Sequence, residues 1–401
     1  MKTRTGGTQR ATSPGITFRG NLRSTRHGWL RLTPAYSVEL VRKLLAGRSR
    51  PELPVLDPFC GTGTTLTACA ELGIACQTVD INPFLRWLAE AKSRRYSAAD
   101  LRRAHELVLE MSNAARRAPK LGWVPALHRI EKWWDEPTLS ALSSAFGVLN
   151  RKRGKARDLA ALAFCRALVD AGNVSFRHQS MSFRELTRTP DVAALLGAAF
   201  DAVRLGAAQS FAGGESQVLV GDSRQLKRLL PRNSCGSVIT SPPYVNRMSY
   251  IRELRPYMYW LGFLGDGRQA GELDWQAIGG TWGVATSKLT TWRPDTQLEL
   301  PRLLPLLSQI EQRSPILARY VERYFCDMDQ HLQSLGCVLA RGGRAHYVVG
   351  NSKFFDVVVP AEKLFVDLFK RHGFTSVNAR VLRRRSSKKE LFEYLVSADK
   401  A

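Results

Sequence analysis

The sequence predicts an α/β protein built on a doubly wound sheet and interrupted by a large helical insertion. Three observations carry that expectation. The strand-like segment Val55–Asp57 runs into a glycine turn, then into the helical segment Thr64–Leu72, and Ala75–Asp80 reads as the next strand; strand, turn, helix and strand in that order open a doubly wound sheet. From about residue 84 to 210 Ala, Leu and Arg dominate and β-branched runs are few, a stretch too long for one crossover helix. Strand-like runs return at Gln217–Gly221 and Gly236–Thr240.

The remaining elements follow in order. Residues 1–15 are polar and basic and read as a disordered arm. Pro34–Leu45 has helical spacing with a proline near its first turn. Residues 16–96 and 211–401 then form one α/β domain, with 97–210 as a helical insertion subdomain. Helices are expected over Tyr250–Leu261, Ile316–Leu335 and Ala361–His372, and strands over Arg344–Val349 and Leu391–Val396. Residues 265–300, with Gly, Thr and three Trp, read as irregular. No internal repeat is present.

Lys and Arg number 59 against 35 Asp and Glu, a formal charge of +24, which suggests a polyanionic partner. Charge alone does not separate DNA from RNA, and a basic ribosome-associated protein fits it too. The seven cysteines, at 60, 69, 76, 165, 235, 326 and 337, form no C-x-x-C pair, which argues against a zinc ribbon, and their odd number in a long chain argues against a secreted disulfide framework. No metal is expected. With no leader core and no apolar run near 18 residues, the expectation is a cytoplasmic, nucleoid-associated protein without a membrane partner.

The turn DPFCGTGTT (57–65) follows a strand and opens a helix. Gly61 and Gly63 let the backbone turn tightly and approach a ligand. Leu66 stands where a dinucleotide fingerprint has its third glycine, and no GK[ST] lysine follows, so neither a nicotinamide site nor a triphosphate loop is expected. Asp80 ends the next strand 19 residues after Gly61, where a carboxylate can accept from both hydroxyls of a ribose. A helix N-cap is the plainer role for Asp80.

Residues 239–244 read ITSPPY. Consecutive prolines directly after a strand hold the chain extended, which fixes the Ser241 hydroxyl and the Ser241 and Pro242 carbonyls as acceptors. Taken together, DPFCGTGTT and ITSPPY resemble the amino-methyltransferase family of DNA methylases, the second in the Thr-Ser-Pro-Pro-Tyr form typical of N4-cytosine enzymes. HGWLRLTP (27–34), VDINPF (79–84), VGDS (220–223), HYVVGNSKF (346–354) and RRRSSKKELFEYLV (383–396) resemble further family segments, so the likeness covers about 30–105 and 215–400. It implies a Rossmann-like, S-adenosylmethionine-dependent methyltransferase fold. It also implies a cofactor set of Thr33, Pro34, Asp57, Pro58, Phe59, Gly61, Gly63, Thr64, Asp80, Ile81, Asn82, Asp222 and Ser223, with Asp222 on the adenine.

The catalytic set so implied is Ser241, Pro242, Pro243 and Tyr244, acting on a base flipped out of double-stranded DNA. Cytosine N4 is the first target, and adenine N6 shares the mechanism but usually has Asp in place of Ser241. An RNA amino-methyltransferase and a catalytically silent DNA-binding subunit remain alternatives. The absence of a Pro-Cys pair argues against carbon-5 methylation. Lys288, Arg293, Arg383, Arg384, Arg385 and Lys388 are candidate DNA contacts, with a merely solvated charged face as the alternative. Residues 265–300 are the candidate target-recognition loop, with Trp275, Trp282 and Trp292 serving as DNA wedges or as core; the insertion is the candidate backbone clamp. His178 reads as structural. A cognate restriction endonuclease is the partner that the family setting implies; phage defence and an orphan role stay open.

Overall fold

The computed structural model describes residues 18–32, 35–118, 121–175, 182–183, 189–281, 284–385 and 390–401. The expected N-terminal arm, Thr33, Pro34, His178, Trp282 and Lys388 lie outside the described residues.

Local chemistry sets the opening unit. Helix α1 (Val38–Ala46) starts where the Ser37 hydroxyl accepts from the Leu40 amide at 3.3 Å. Strand β1 (Val55–Asp57) ends in the glycine turn, and α2 (Thr64–Leu72) begins after Gly63, whose φ of +72° suits glycine. A Cβ on Gly63 would lie 2.9 Å from Ala89 Cα, so the same residue lets the turn press against the following helix. Strand β2 (Cys76–Asp80) leads into α3 (Pro83–Ser93), capped by Asn82, whose side-chain oxygen accepts from the Phe84 and Leu85 amides.

The expected insertion begins with α4 (Ala98–Arg116), capped by Ser97 in a reciprocal box with Asp100. It continues through α5 (Glu136–Asn150), α6 (Lys155–Asp170), a two-residue ladder of β3 (Val174–Ser175) and β4 (Ser182–Phe183), and α7 (Val192–Ala207). The α/β unit resumes with β5 (Ser216–Val220), α8 (Leu226–Leu229), β6 (Cys235–Thr240) and α9 (Tyr250–Trp260). Residues 265–300 are not irregular as expected. They hold α10 (Gly267–Gln276), capped by Asp266, and α11 (Val284–Thr291), followed by α12 (Leu303–Glu311). The long α13 (Pro315–Val338) leads to β7 (Leu339–Gly350), the short hairpin β8 (Ser352–Phe354) and β9 (Val357–Val359), α14 (Ala361–Arg371), and the strands β10 (Phe374–Arg384) and β11 (Phe392–Lys400). Strand β10 is absent from the sequence reading; seven of its eleven residues are exposed, as at a sheet edge.

These strands form one seven-stranded sheet in the order β10-β11-β7-β6-β1-β2-β5. β5, β2, β1, β6 and β7 are mutually parallel; β11 runs antiparallel to β7 and to β10. Chain order reverses between β1 and β6, which makes their carboxyl ends the switch point where open α/β sheets bind ligands.

The insertion does not stand apart. Its core, including Leu142, Phe146, Leu162, Phe164 and Phe200, is continuous with Phe84 and Leu88 of α3 and with Leu254, Met258 and Trp260 of α9. Arg26 ties the same elements together. Its side chain is 1% exposed and donates to the carbonyls of Lys92, Arg94, Gly206, Ala207 and Gln209, at the C-terminal ends of α3 and α7. A cation among helix-end carbonyls meets partial negative charge without a carboxylate.

Candidate active site

The topology sets four chemically distinct groups side by side. Across the neighbouring strands β5, β2, β1 and β6, the carboxyl ends carry Asp222, Asp80, Asp57 and Ser241 in that order. Asp80 does not cap α3; Asn82 does. The Asp80 carboxylate instead accepts from the Gly61 amide at 3.0 Å and the Asn82 amide at 2.8 Å. A carboxylate has about four acceptor positions, so capacity remains for two more donors. Burial raises the Asp80 carboxyl to about 6.

Asp57 is buried, and burial lifts it to about 7, against hydrogen bonds from the Thr240 hydroxyl at 2.6 Å and the Phe59 amide at 3.2 Å. The Thr240 bond fastens the end of β1 to the end of β6, directly before Ser241. Thr64 is buried with its hydroxyl on Thr62, and Pro58 is buried, so both shape the turn. Phe59 and Ile81 are half-buried. Asn82, expected with the cofactor residues, has its side chain engaged within the fold: its oxygen caps α3 and its amide lies on Met258 Sδ of α9. Asp222 differs from Asp80, because Arg224 already occupies both its oxygens, at 3.0, 3.0 and 2.6 Å. Ser223 is buried, and its carbonyl faces His331 Nδ1 at 2.9 Å.

Three supporting residues lie outside the candidate set. Lys92 of α3 is buried and donates to the Thr62 carbonyl at 3.0 Å, bracing the glycine turn from beneath; burial lowers it to about 8. His331 of α13 is held neutral by burial, which lowers it to about 4. It donates from Nδ1 to Ser223 and accepts at Nε2 from the Tyr347 hydroxyl at 2.6 Å, and its ring lies 4.8 Å from that of Phe59. Gly350, at the end of β7, lies against Tyr244; a Cβ there would lie 2.7 Å from the ring.

In the motif itself, the Ser241 hydroxyl donates to the Val348 carbonyl at 3.1 Å. Its proton is thereby fixed inward, and its oxygen is left to accept. Tyr324 donates to the Pro243 carbonyl at 2.7 Å and locks the peptide after the second proline. Burial raises the Tyr244 hydroxyl, and the Arg385 guanidinium lies 5.6 Å from the Tyr244 ring while donating to the Asn351 carbonyl. Residues 265–300 reach this loop: Ser249 donates to Asp274 at 2.6 Å, and Thr281 to the Arg247 carbonyl at 3.4 Å.

The candidate DNA contacts separate into two groups. Lys288 pairs with Glu272 at 2.6 Å, and Arg383 grips Glu393 with two bonds of 2.6 Å, so neither presents an uncompensated charge, contrary to expectation. Arg293 and Arg384 are exposed, with Arg293 bonded to its neighbour's carbonyl. Trp275 packs under the Arg323 guanidinium at 3.5 Å and against the core, which makes it structural rather than a wedge; Trp292 is half-buried.

A doubly wound sheet with six strands in one direction, one reversed strand next to its edge, and a glycine turn facing an acid-ended second strand defines a Rossmann-like methyltransferase fold. Residues 19–91 match the model of a DNA methylase family that spans N6 and N4 enzymes. Similar proteins include the type II methyltransferase M.MjaII of Methanocaldococcus jannaschii, 38% identical over 66 residues, 16% of this chain and 12% of that protein. The type II methyltransferase M.BsoBI of Geobacillus stearothermophilus is 34% identical over 101 residues, 24% of this chain and 20% of that one. M.AvaI of Nostoc is 30% identical over 78 residues, 19% and 16% of the two chains. These matches are what the chain is similar to, and they support a likeness to the DNA amino-methyltransferase family. These matches span no more than a fifth of the relatives' own length. The rRNA methyltransferase aviRa of Streptomyces viridochromogenes aligns over 96% of this chain and 97% of its own at 12% identity, with a TM-score of 0.30, too loose a superposition to argue from. No described helix is long and apolar enough to cross a membrane.

Proposed function

We propose that the protein is an S-adenosylmethionine-dependent DNA methyltransferase acting on the exocyclic N4 of a cytosine flipped out of the duplex. One observation carries the reading: Ser241 stands at the switch point with its hydroxyl proton committed to the Val348 carbonyl, which leaves its oxygen as an acceptor beside Asp57 and the glycine turn. Asp80, Gly61, Gly63 and Phe59 would hold the cofactor, and the two unfilled acceptor positions of Asp80 suit the two ribose hydroxyls. Asp222 would reach an adenine amino group only by loosening Arg224. Bound S-adenosylmethionine supplies the reactive sulfonium methyl group.

The protein's own part is orientation. The cytosine amino lone pair is delocalised into the ring, so the nitrogen is a weak nucleophile. Ser241 Oγ and the Pro242 carbonyl accept its two hydrogens and favour a pyramidal nitrogen whose lone pair is directed out of the ring plane. Those bonds strengthen as the nitrogen pyramidalises, which is the condition for lowering the barrier. Tyr244, wedged against Gly350, offers a face on which the extruded base stacks.

Residues 265–300 are proposed to read bases, because they bond directly to the loop after Tyr244; the exposed Arg102, Arg103, Arg116, Arg117, Arg151 and Arg153 of the insertion are proposed to clamp backbone. Pairing with a restriction endonuclease is proposed as the setting. Nucleoside mass spectrometry of DNA from cells expressing the chain tests the reading. A 4-methylcytosine peak is expected, 6-methyladenine alone would move the target to adenine, and neither would overturn the activity.

A further inference from the structure

The basic residues best placed for DNA are not the ones that motif similarity nominates. Lys288 and Arg383 are neutralised by Glu272 and Glu393. The segment that leaves the catalytic motif, residues 245–256, contains Arg247, Arg252 and Arg255 and a single acid, Glu253. Glu253 has a partner of its own.

Arg247 lies three residues beyond Tyr244, within about 11 Å of chain. It adopts a positive φ of 58°, a conformation that costs a non-glycine residue about 1 kcal/mol or more. Two neighbours hold it there: its amide donates to the Tyr320 hydroxyl at 3.0 Å, and its carbonyl accepts from Thr281. The backbone is therefore fixed by α13 and by residues 265–300, while the side chain is exposed and makes no hydrogen bond or ion pair among the described residues. Arg252, in the first turn of α9, is likewise exposed, and its guanidinium is unpaired among the described residues. Arg255 is held differently, with Nε on the Arg252 carbonyl at 3.1 Å and its guanidinium 5.5 Å from the Trp133 ring. Burial first, and then the proximity of Arg252, disfavours the Arg255 charge; a bound anion would relieve the repulsion between the two.

We infer that Arg247 and Arg252 hold the DNA phosphates that flank the flipped base, a docking surface on the loop and helix immediately after the catalytic motif. The inference rests on the reading of Ser241–Tyr244 as the place where the base lands. Two unpaired guanidiniums beside that place present the charge and the planar donor geometry that phosphate oxygens accept. Phosphate contacts of this kind set position and carry no sequence information.

The test is the salt dependence of duplex binding by the full chain, read by fluorescence anisotropy with S-adenosylhomocysteine present, on two duplexes of unrelated sequence. Arg247→Ala and Arg252→Ala should each make the slope of log K against log salt shallower by about 0.9, and weaken both duplexes by a similar factor. Arg247→Lys and Arg252→Lys, which keep the charge, should restore the slope and guard against a folding defect. Lys288→Ala and Arg383→Ala should leave it unchanged. If the alanine variants keep the wild-type slope, or if Lys288→Ala and Arg383→Ala reduce it instead, the inference fails while the functional reading stands. If the folded wild-type chain binds neither duplex, both fall together.

Discussion

The carboxyl end of the sheet and the helical insertion bury their side chains in opposite ways. At the sheet end the enclosed groups are short and polar. Asp57, Asp80, Thr240 and Ser241 are each oriented by one or two hydrogen bonds, and Asp80 and Ser241 keep acceptor positions unfilled. In the insertion the interior is Leu, Ala, Phe and Trp, closed around Trp260 with ring centroids of Phe146, Phe164, Trp123 and Trp134 between 5.5 and 6.0 Å away. The first region keeps acceptor positions for a ligand; the second supports α9 and α3 through apolar packing. Function and stability should therefore be separable by mutation.

The largest expected effect lies where the insertion packs on α9. Trp260 is fully buried, and Trp260→Ala should cost about 3–5 kcal/mol of stability by leaving a cavity, measured by denaturant unfolding. An effect below about 1 kcal/mol would mean that the insertion core is not continuous with α9. Ser241→Ala should leave stability, cofactor binding and DNA binding near wild type while single-turnover methyl transfer falls by roughly 100-fold or more, as when a lone transition-state hydrogen-bond partner is removed. Near-normal transfer would take Ser241 out of the chemistry.

Asp80→Ala should weaken S-adenosylmethionine by about 1.5–3 kcal/mol, read by calorimetry. Its pH dependence sharpens the point. The unliganded carboxyl sits near 6 because burial disfavours its charge, while donors from a ribose favour the charged form. Cofactor affinity should accordingly rise as pH climbs through about 6 and fall below it, and Asp80→Asn should flatten that profile. The stability of the unliganded protein should run the other way. A carboxyl raised above its unfolded value near 4 stabilises fully below that value, and the contribution is lost as pH rises through about 6 for Asp80 and about 7 for Asp57. The smallest effect is at Tyr244: Tyr244→Ala should weaken the complex with a flipped base by roughly 1–3 kcal/mol, tested by comparing duplexes with a mismatched and a paired target.

Much of this was legible in the chain, and the reason is physical. The glycine turn, the acid after β2 and the consecutive prolines are local devices, so Thr64–Leu72, Cys76–Asp80 and the helical character of 97–210 follow from neighbouring residues alone. Asp266 could have been read as the cap of α10, but the helix behind it is too polar to show an apolar stripe. Strand β10 escaped because an edge strand with Arg380, Arg383 and Arg384 lacks the alternation of a half-buried one. His331 and Lys92 gave no signal because they act through partners 108 and 30 residues away.

The sequence by itself determined the order of elements, the motif residues and the excess of positive charge, all properties of short stretches or of composition. Only the tertiary structure decided which charges are available. Arg383 and Lys288 look like contacts in the sequence and are cancelled by carboxylates folded against them, whereas Arg247 looks like an ordinary loop residue and is left unpaired among the described residues beside the catalytic motif. Whether a charge is compensated depends on what lies within a few ångströms in space, and at that range the fold, not the spacing of residues along the chain, sets the electrostatics.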